Sequence, residues 1–328
     1  MDMIALEPDF VTKLQGISTW RVYLSGEIDG TTPERFETLI NAHSVPWGSN
    51  VYIHSGGGSA VSGMALGRVI REYGFTTHVG RRGKQTEYMQ ETDSGQCMSA
   101  AALAFMGGIW RYVDDGSQYG VHQFTGLTSG YESQKFSAEI VDYIRSMGVN
   151  TDVFTYAAET PADDILELPH ATLRRLNVAN HGYDPVEWSV ESIDVGVYLK
   201  GQRATVIGVQ KFIIFFPPKE PVTLHAIFQG GENAEMIMST PTERLEIDGE
   251  YVSLSEQRLA RVNNDGWING TYALSSDIVE RLKTAKRVGY VLQMADDAPM
   301  FFGFDHFPFE GGASRLPGLL AMHAASIY

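Results

Sequence analysis

Two segments constrain this chain more than any others, because each leads from a strand-like run through small residues into a helix-like run. The first is Ile53–Ser59 (IHSGGGS), and the second is Gly95–Ala102 (GQCMSAAA), in which Ser99 opens an apolar run. Downstream, His122 lies in another strand-like run, YGVHQF. Strands that alternate with helices form βαβ units around a largely parallel sheet. The sequence therefore predicts an α/β fold for this part of the chain.

The alternation of strands and helices extends over residues 1–183, which we predict to form one domain. The predicted strands are Trp20–Leu24, Val51–His54, Thr76–Val79, Gly108–Tyr112 and Gly120–Gln123. The predicted helices are Thr32–His43, Ala60–Tyr73, Ser99–Met106, Ser133–Met147, Thr151–Glu159 and Pro169–Leu176.

Residues 184–328 have a different pattern and are predicted to form a second, mostly-β domain. Short strands follow one another closely there, which is typical of a sandwich or a barrel. They include Lys211–Phe216, Ala234–Met238 and Trp267–Leu274, with turn signals at 248–249 and 263–266. Two helices are predicted in this half, at Ser275–Ala285 and Ala313–Ala325.

The segment 81–94, just before the Ser99 turn, is polar and has few apolar residues apart from Tyr88 and Met89. Two interpretations are open. It is a surface loop, or it is a mobile lid in which Tyr88 or Met89 packs over the cleft beside Ser99.

Ser99 and His122 together suggest nucleophilic catalysis. A serine needs a base to become a nucleophile, and its tetrahedral intermediate needs donors for an oxyanion. Taken singly, each feature has a simpler explanation. The serine could cap a helix, the histidine could be structural, and the glycine run could form only a turn or a phosphate cradle. The order and spacing of the three segments favour the catalytic interpretation.

The same order of motifs resembles the Clp protease proteolytic subunit family, over residues 20–182. The matching features are the run Ser55–Ser59, the motif Gly95–Ser99, and His122-Gln123 before a long helix. The resemblance implies a ββα spiral of the kind shared with the crotonase superfamily. It also implies that Ser99 is the nucleophile and His122 the general base, with the backbone N–H groups of Gly58 and Ala100 as the oxyanion hole.

The third member of the catalytic set departs from the family pattern. A match without gaps places Thr160 where the family has an aspartate, and Asp163 and Asp164 follow closely. The third member is therefore Thr160 by the direct match, or Asp163 or Asp164 after a short shift. A Ser–His pair without a third member is a further possibility.

Three functions remain open at this stage. The first is a serine hydrolase, specifically a Clp-type peptidase. The second is a crotonase-like enzyme that binds acyl-CoA and needs no Ser–His pair. The third is a non-catalytic scaffold that keeps this fold and uses the β-rich domain for binding. The resemblance also implies a homo-oligomer, and it leaves any ATPase partner unspecified.

The composition excludes several classes of partner. The formal net charge of the 328 residues is −15, and no basic face is visible for nucleic acid or for an anionic membrane surface. No apolar stretch has the length of a membrane span. Cys97 is the single cysteine, so no disulfide can form within the chain.

We expect a peptide or acyl substrate and no cofactor. We also expect no metal site, because His225, His306 and His323 lack the spacing of metal ligands. The N-terminus has no basic region followed by an apolar region, so the sequence predicts a cytoplasmic protein, or a periplasmic or secreted one if a signal peptide was removed.

Overall fold

The computed structural model describes residues 1–14, 17–126, 129–298 and 300–326. Contacts between residues divide the chain into two compact units, Met1–Gly182 and Tyr183–Tyr328. The fold is mixed α/β, with several sheets.

The first unit alternates strands and helices along most of its length. Its strands are β1 (Asp2–Leu6), β2 (Arg21–Ser25), β3 (Asn50–His54), β4 (Thr76–Gln85), β5 (Gln90–Ser94), β6 (Gln96–Met98), β7 (Arg111–Tyr112), β8 (Gln118–Val121) and β9 (Leu166–Glu167). Its helices are α1 (Phe10–Leu14), α2 (Thr32–Ala42), α3 (Ala60–Glu72), α4 (Ala100–Phe105), α5 (Gly130–Ser146), α6 (Asp152–Glu159) and α7 (His170–Arg175).

Two sheets organise the first unit. In the larger sheet the order is β1-β2-β3-β4-β5, and β7 also pairs with β4. Strands β2, β3, β4 and β7 are parallel, whereas β1 and β5 run antiparallel to their neighbours. The smaller sheet has the order β6-β8-β9, with β6 and β8 parallel. The strands that precede Ser99 and His122 are therefore neighbours.

Helices α3 and α4 approach each other closely because glycines line α3. A Cβ added to Gly63 would lie 2.3 Å from the carbonyl oxygen of Ala100, the first residue of α4. A Cβ added to Gly67 would lie 1.9 Å from the Tyr143 hydroxyl, which itself donates to the Leu103 carbonyl. The contact at Gly63 places the start of α4 against the N-terminal half of α3.

The polar segment 81–94 forms a β-hairpin, not an irregular loop. Strand β4 continues to Gln85, and β5 pairs antiparallel with it. The hairpin is tied to the N-terminal segment, because the Asp9 carboxylate accepts hydrogen bonds from the Gln90 N–H and from Arg21. The polar side chains hid this pairing from a hydrophobicity pattern.

The second unit consists mainly of antiparallel strands. These are β10 (Glu187–Ile193), β11 (Gly196–Thr205), β12 (Gly208–Phe216), β13 (Thr223–Gln229), β14 (Thr242–Ile247), β15 (Glu250–Ser253), β16 (Arg258–Asn264), β17 (Trp267–Ala273), β18 (Arg287–Gln293) and β19 (Phe302–Pro308). The helices are α8 (Ala234–Met238), α9 (Ser276–Leu282), α10 (Glu310–Ala313) and α11 (Leu316–Ser326), and a 3₁₀ turn spans Gly231–Asn233. The strand predicted at Ala234–Met238 is wrong, because that segment is α8.

Two sheets share one apolar core in the second unit. Their orders are β10-β11-β12-β13-β17-β16 and β15-β14-β18-β19. Buried side chains alternate along β12, and Phe212 and Ile214 join Leu245 and Tyr290 of the other sheet in one cluster. Two-residue turns with positive φ at both positions close the hairpins at 248–249 and 265–266.

Candidate active site

Ser99 and His122 end neighbouring parallel strands. The register between β6 and β8 pairs Met98 with Gly120, and the Ser99 N–H donates to the Gly120 carbonyl over 3.0 Å. Ser99 is the first residue after β6, and His122 is the first residue after β8. Both side chains line one cavity of about 340 Å³. The structure therefore brings the predicted nucleophile and the predicted base to the same opening.

Ser99 occupies an unusual backbone conformation. Its φ of 56° and ψ of −118° lie outside the regions that most L-residues adopt, and such strain is concentrated at functional turns. The Ser99 side chain makes no capping hydrogen bond to α4. The simple explanation of Ser99 as a helix cap is therefore wrong, and its hydroxyl is left for another role.

His122 is oriented by a backbone carbonyl. Its Nδ1 lies 2.9 Å from the carbonyl oxygen of Ala162. A carbonyl oxygen only accepts, so we assign the proton of the neutral ring to Nδ1, which leaves the lone pair on Nε2. That tautomer is the one a general base for serine requires. The described hydrogen bonds include none between Ser99 Oγ and His122.

The predicted third members do not take the Nδ1 position. The Thr160 hydroxyl donates to the Tyr156 carbonyl over 2.8 Å, one turn back along α6. Asp163 and Asp164 are exposed, and the Asp164 carboxylate accepts from the Ile165 N–H. After Pro161 the chain turns, since the Asp164 N–H donates to the Pro161 carbonyl. The turn presents the Ala162 carbonyl to His122, where the sequence predicted a side chain.

The glycine segment lies directly against the serine turn. A Cβ added to Gly57 would lie 2.8 Å from Ser99 Cβ and 3.4 Å from the Ala100 nitrogen. Gly58 forms a parallel bridge with Ile28, in which the Gly57 carbonyl and the Ser59 N–H make the hydrogen bonds to Ile28. In such a bridge the N–H of Gly58 itself points to the other side.

The two predicted oxyanion donors have no acceptor among the described residues. No described residue accepts a hydrogen bond from the N–H of Gly58 or from that of Ala100. Ala100 is the first residue of α4, where an N–H has no partner within the helix, and it lines the cavity. Their role as oxyanion donors stays a prediction.

The cavity beside Ser99 is mostly apolar. Helices α4, α5 and α6 supply most of its walls, and Gln123, Ser133 and Ser137 add polar groups. The principal apolar residues are Leu103, Met106, Phe124, Ile140, Ile144, Val153 and Phe154. A cavity of this kind accommodates an apolar side chain or a short acyl chain.

The hairpin formed by β4 and β5 does not cover the cavity. None of residues 81–94 belongs to its lining. Tyr88 is 57% exposed and packs beside Phe10, with ring centroids 6.4 Å apart. The expectation of a lid formed by Tyr88 or Met89 is therefore wrong.

Cys97 and His54 are near the site but serve the fold. Cys97 is fully buried and burial raises the pKa of its thiol, which disfavours the thiolate that nucleophilic attack requires. His54 Nδ1 accepts a hydrogen bond from the Gln96 N–H over 3.2 Å, and burial lowers the pKa of His54.

The described residues contain neither a metal-binding cluster nor a membrane-spanning helix. No group of three or more His, Cys, Asp or Glu side chains in ranges 1–14, 17–126, 129–298 and 300–326 is placed to hold a metal ion. In the same ranges, no helix has both the length and the apolar character needed to cross a membrane.

Comparison with known proteins gives a distant structural similarity. No protein-family model and no curated protein sequence matches the chain. Among solved structures, ClpP1 from Listeria monocytogenes and a point mutant of it align with a TM-score of 0.38 and 15% identity. Each alignment covers 49% of this chain and 88% of the other.

Proposed function

We propose that this chain is a serine hydrolase in which Ser99 is the nucleophile and His122 the general base. The observation that carries the proposal is the convergence of both residues on one cavity from neighbouring parallel strands, with His122 Nδ1 bound to a carbonyl. The strained turn at Ser99 adds support, because it removes the serine from a capping role. A peptidase on a fold of the Clp type is the specific form that we propose.

The proposed reaction proceeds through an acyl-enzyme. Ser99 Oγ attacks the substrate carbonyl carbon while His122 Nε2 takes the hydroxyl proton. The N–H groups of Gly58 and Ala100 hold the negative oxygen of the tetrahedral intermediate. The proton then passes from Nε2 to the leaving group, and a water activated by His122 releases the acyl group.

In this proposal the catalytic residues form a Ser–His dyad, because His122 Nδ1 is bound to the Ala162 carbonyl and not to a carboxylate side chain. The carbonyl orients the imidazole and selects its tautomer, as a carboxylate would. A neutral carbonyl stabilises the imidazolium less than a negative charge does, so we expect slower acylation than a Ser–His–Asp triad gives. The apolar cavity favours a substrate with an apolar side chain or acyl group next to the scissile carbonyl.

A fluorophosphonate probe tests the proposal directly, because it labels activated serines covalently. The wild-type chain should be labelled, the Ser99→Ala variant should not, and His122→Gln should be labelled at least 100-fold more slowly. Ser133→Ala is the matched control. Ser133 lines the same cavity but its hydroxyl donates to the Ser129 carbonyl, so its removal should leave labelling unchanged.

Other outcomes would favour the alternative functions. A folded wild-type chain that is not labelled, and that cleaves no p-nitrophenyl ester, would indicate a non-catalytic scaffold. Saturable binding of an acyl-CoA by such an unlabelled chain would indicate a crotonase-like role. Equal labelling of wild type and Ser99→Ala would exclude Ser99 as the nucleophile.

A further inference from the structure

The second unit contains a cavity of about 460 Å³ beside a buried arginine. Arg203 lies on β11 and is 6% exposed. Directly opposite it on β12 stands Gln210, and opposite Gln210 on β13 stands Phe228. All three line the cavity, so a cation, an amide and an aromatic ring form one row across three adjacent strands.

The guanidinium of Arg203 is held in place by neutral groups. Its Nε donates to Gln210 Oε1 over 2.8 Å, and its two terminal nitrogens donate to the carbonyls of His306 and Asp305. Its carbon lies 4.7 Å from the Tyr183 ring centroid and 5.0 Å from that of Phe307. These contacts fix the plane of the guanidinium and use three of its five N–H groups.

No carboxylate among the described residues forms a direct ion pair with Arg203, and the Asp305 carboxylate acts on its charge only from a longer distance. In the described part of the chain, no carboxylate oxygen lies within 4 Å of its nitrogens. Asp305 and Glu232 also line the cavity, but the Asp305 carboxylate is 3.0 Å from His306 Nδ1, and Glu232 is exposed. Buried charges in proteins are ordinarily paired, because desolvation of an unpaired charge is costly.

Gln210 adds a donor to the same wall. It is 3% exposed, and its Oε1 is committed to Arg203. No described residue accepts a hydrogen bond from its Nε2. The row thus offers N–H donors to the cavity, and Phe228, Phe304 and Ile237 provide an apolar surface next to them.

We propose that this cavity binds a monocarboxylate that carries an apolar or aromatic group. The planar carboxylate bonds to the free N–H groups of Arg203 and to Gln210 Nε2, and the apolar group packs on Phe228 and Phe304. Two sources present this chemistry. One is a small free acid, and the other is the C-terminus of a peptide that ends in an apolar residue.

Calorimetric titration of the full chain tests the proposal. The probes are N-acetyl-L-phenylalanine and its amide for the small acid, and Gly-Gly-Phe and its C-terminal amide for the peptide. At least one acid should bind at least ten-fold more tightly than its amide, and the tighter acid identifies the source. Equal affinities for acids and amides, or no binding by either acid, would overturn the proposal.

A substitution distinguishes this cavity from the one beside Ser99. Gln210→Glu places a carboxylate against Arg203, so acid binding should weaken at least ten-fold. Arg281→Met is the control, since it removes a partly exposed cation of the same unit that pairs with Glu250. It should leave the affinity unchanged. Unchanged acid binding by a folded Gln210→Glu variant would also overturn the proposal.

Discussion

The two units each contain a cavity, but different kinds of group determine the geometry of the two. Beside Ser99, backbone groups determine the geometry of the site. The Ala162 carbonyl orients His122, and no described residue accepts a hydrogen bond from the N–H of Gly58 or of Ala100. Beside Arg203, side chains supply the groups that line the cavity, because a cation, an amide and a phenyl ring stand opposite one another on three strands.

This difference predicts where each site is sensitive to substitution. A geometry set by the backbone depends on residues whose backbone conformation no other amino acid adopts easily, above all glycine. A geometry set by side chains depends on the identity of each group and tolerates backbone changes at its rim. The first kind should therefore fail on a Gly→Ala change that the second kind accepts.

Gly58→Ala should have the largest effect of the changes considered. Gly58 has a φ of +134°, and an added Cβ would lie 2.1 Å from the Ile28 carbonyl oxygen. The backbone must shift to relieve this overlap, and the Gly58 N–H shifts with it. We expect turnover of a p-nitrophenyl ester to fall by about 10²–10³-fold, the usual result of losing one oxyanion donor.

Two other glycines provide matched comparisons for Gly58. An added Cβ on Gly56 meets nothing closer than 4.0 Å, so Gly56→Ala should keep most of the activity. Gly231, at the rim of the Arg203 cavity, has a φ of +53° and open space around it. Gly231→Ala should cost only about 1 kcal/mol of unfolding free energy. Equal turnover by the Gly56 and Gly58 variants would remove Gly58 from the oxyanion hole.

The same contrast explains what could be predicted from the sequence. A backbone-determined turn needs small residues in a fixed order, so the glycine run and the Ser99 motif are visible in the sequence. Both motifs come directly after a strand-like run, so the sequence also predicted that they lie at the ends of strands. The alternation of strands and helices predicted the mixed α/β character. The turn signals at 248–249 and 263–266 predicted hairpins, and the structure has two-residue turns at 248–249 and 265–266.

The remaining features leave no local signal in the sequence. Any residue has a carbonyl, so nothing marks Ala162 as the partner of His122. The contacts of Arg203 come from residues about a hundred positions away as well as from the next strand, which no local pattern records. The hairpin at β4 and β5 is stabilised by polar contacts with Asp9, which a hydrophobicity pattern does not record. The segment Ala234–Met238 is too short for periodicity to distinguish a helix from a strand.

The first unit also has a feature that depends on side chains, namely a row of stacked aromatic rings that contributes to its stability. Tyr52, His78 and Tyr112 are register partners on β3, β4 and β7, with ring centroids 4.7 Å and 4.8 Å apart. Burial, and to a lesser extent nearby His181, lowers the pKa of His78 from 6.5 to about 3. Between pH 3 and pH 6.5, His78 therefore binds a proton in the unfolded chain but stays neutral in the folded chain.

The stability that neutral His78 contributes is therefore complete above pH 6.5 and is lost as the pH falls toward 3. The slope from this group is at most about 1.4 kcal/mol per pH unit. His78→Phe keeps a ring in the row but cannot titrate, so its unfolding free energy should decline less steeply over this range. At pH 7 it should lose about 1 kcal/mol with the Asn50 hydrogen bond. Denaturant titrations from pH 7 to 4 measure both effects, and parallel pH profiles for the two proteins would contradict the assignment.

Tyr88→Ala should have the smallest effect, because no residue of the hairpin at β4 and β5 lines the cavity. Tyr88 is mostly exposed and its ring contact is with Phe10, so we expect a loss below about 1 kcal/mol in unfolding free energy and turnover within two-fold of wild type. Phe124→Ala is the positive control, since Phe124 lines the cavity and packs on Phe136 at 5.0 Å between ring centroids. It should change KM for an apolar ester by more than Tyr88→Ala does. A larger kinetic change from Tyr88→Ala would mean that the hairpin contacts the substrate, and the Ser99 site would then depend on a side chain as well as on its backbone.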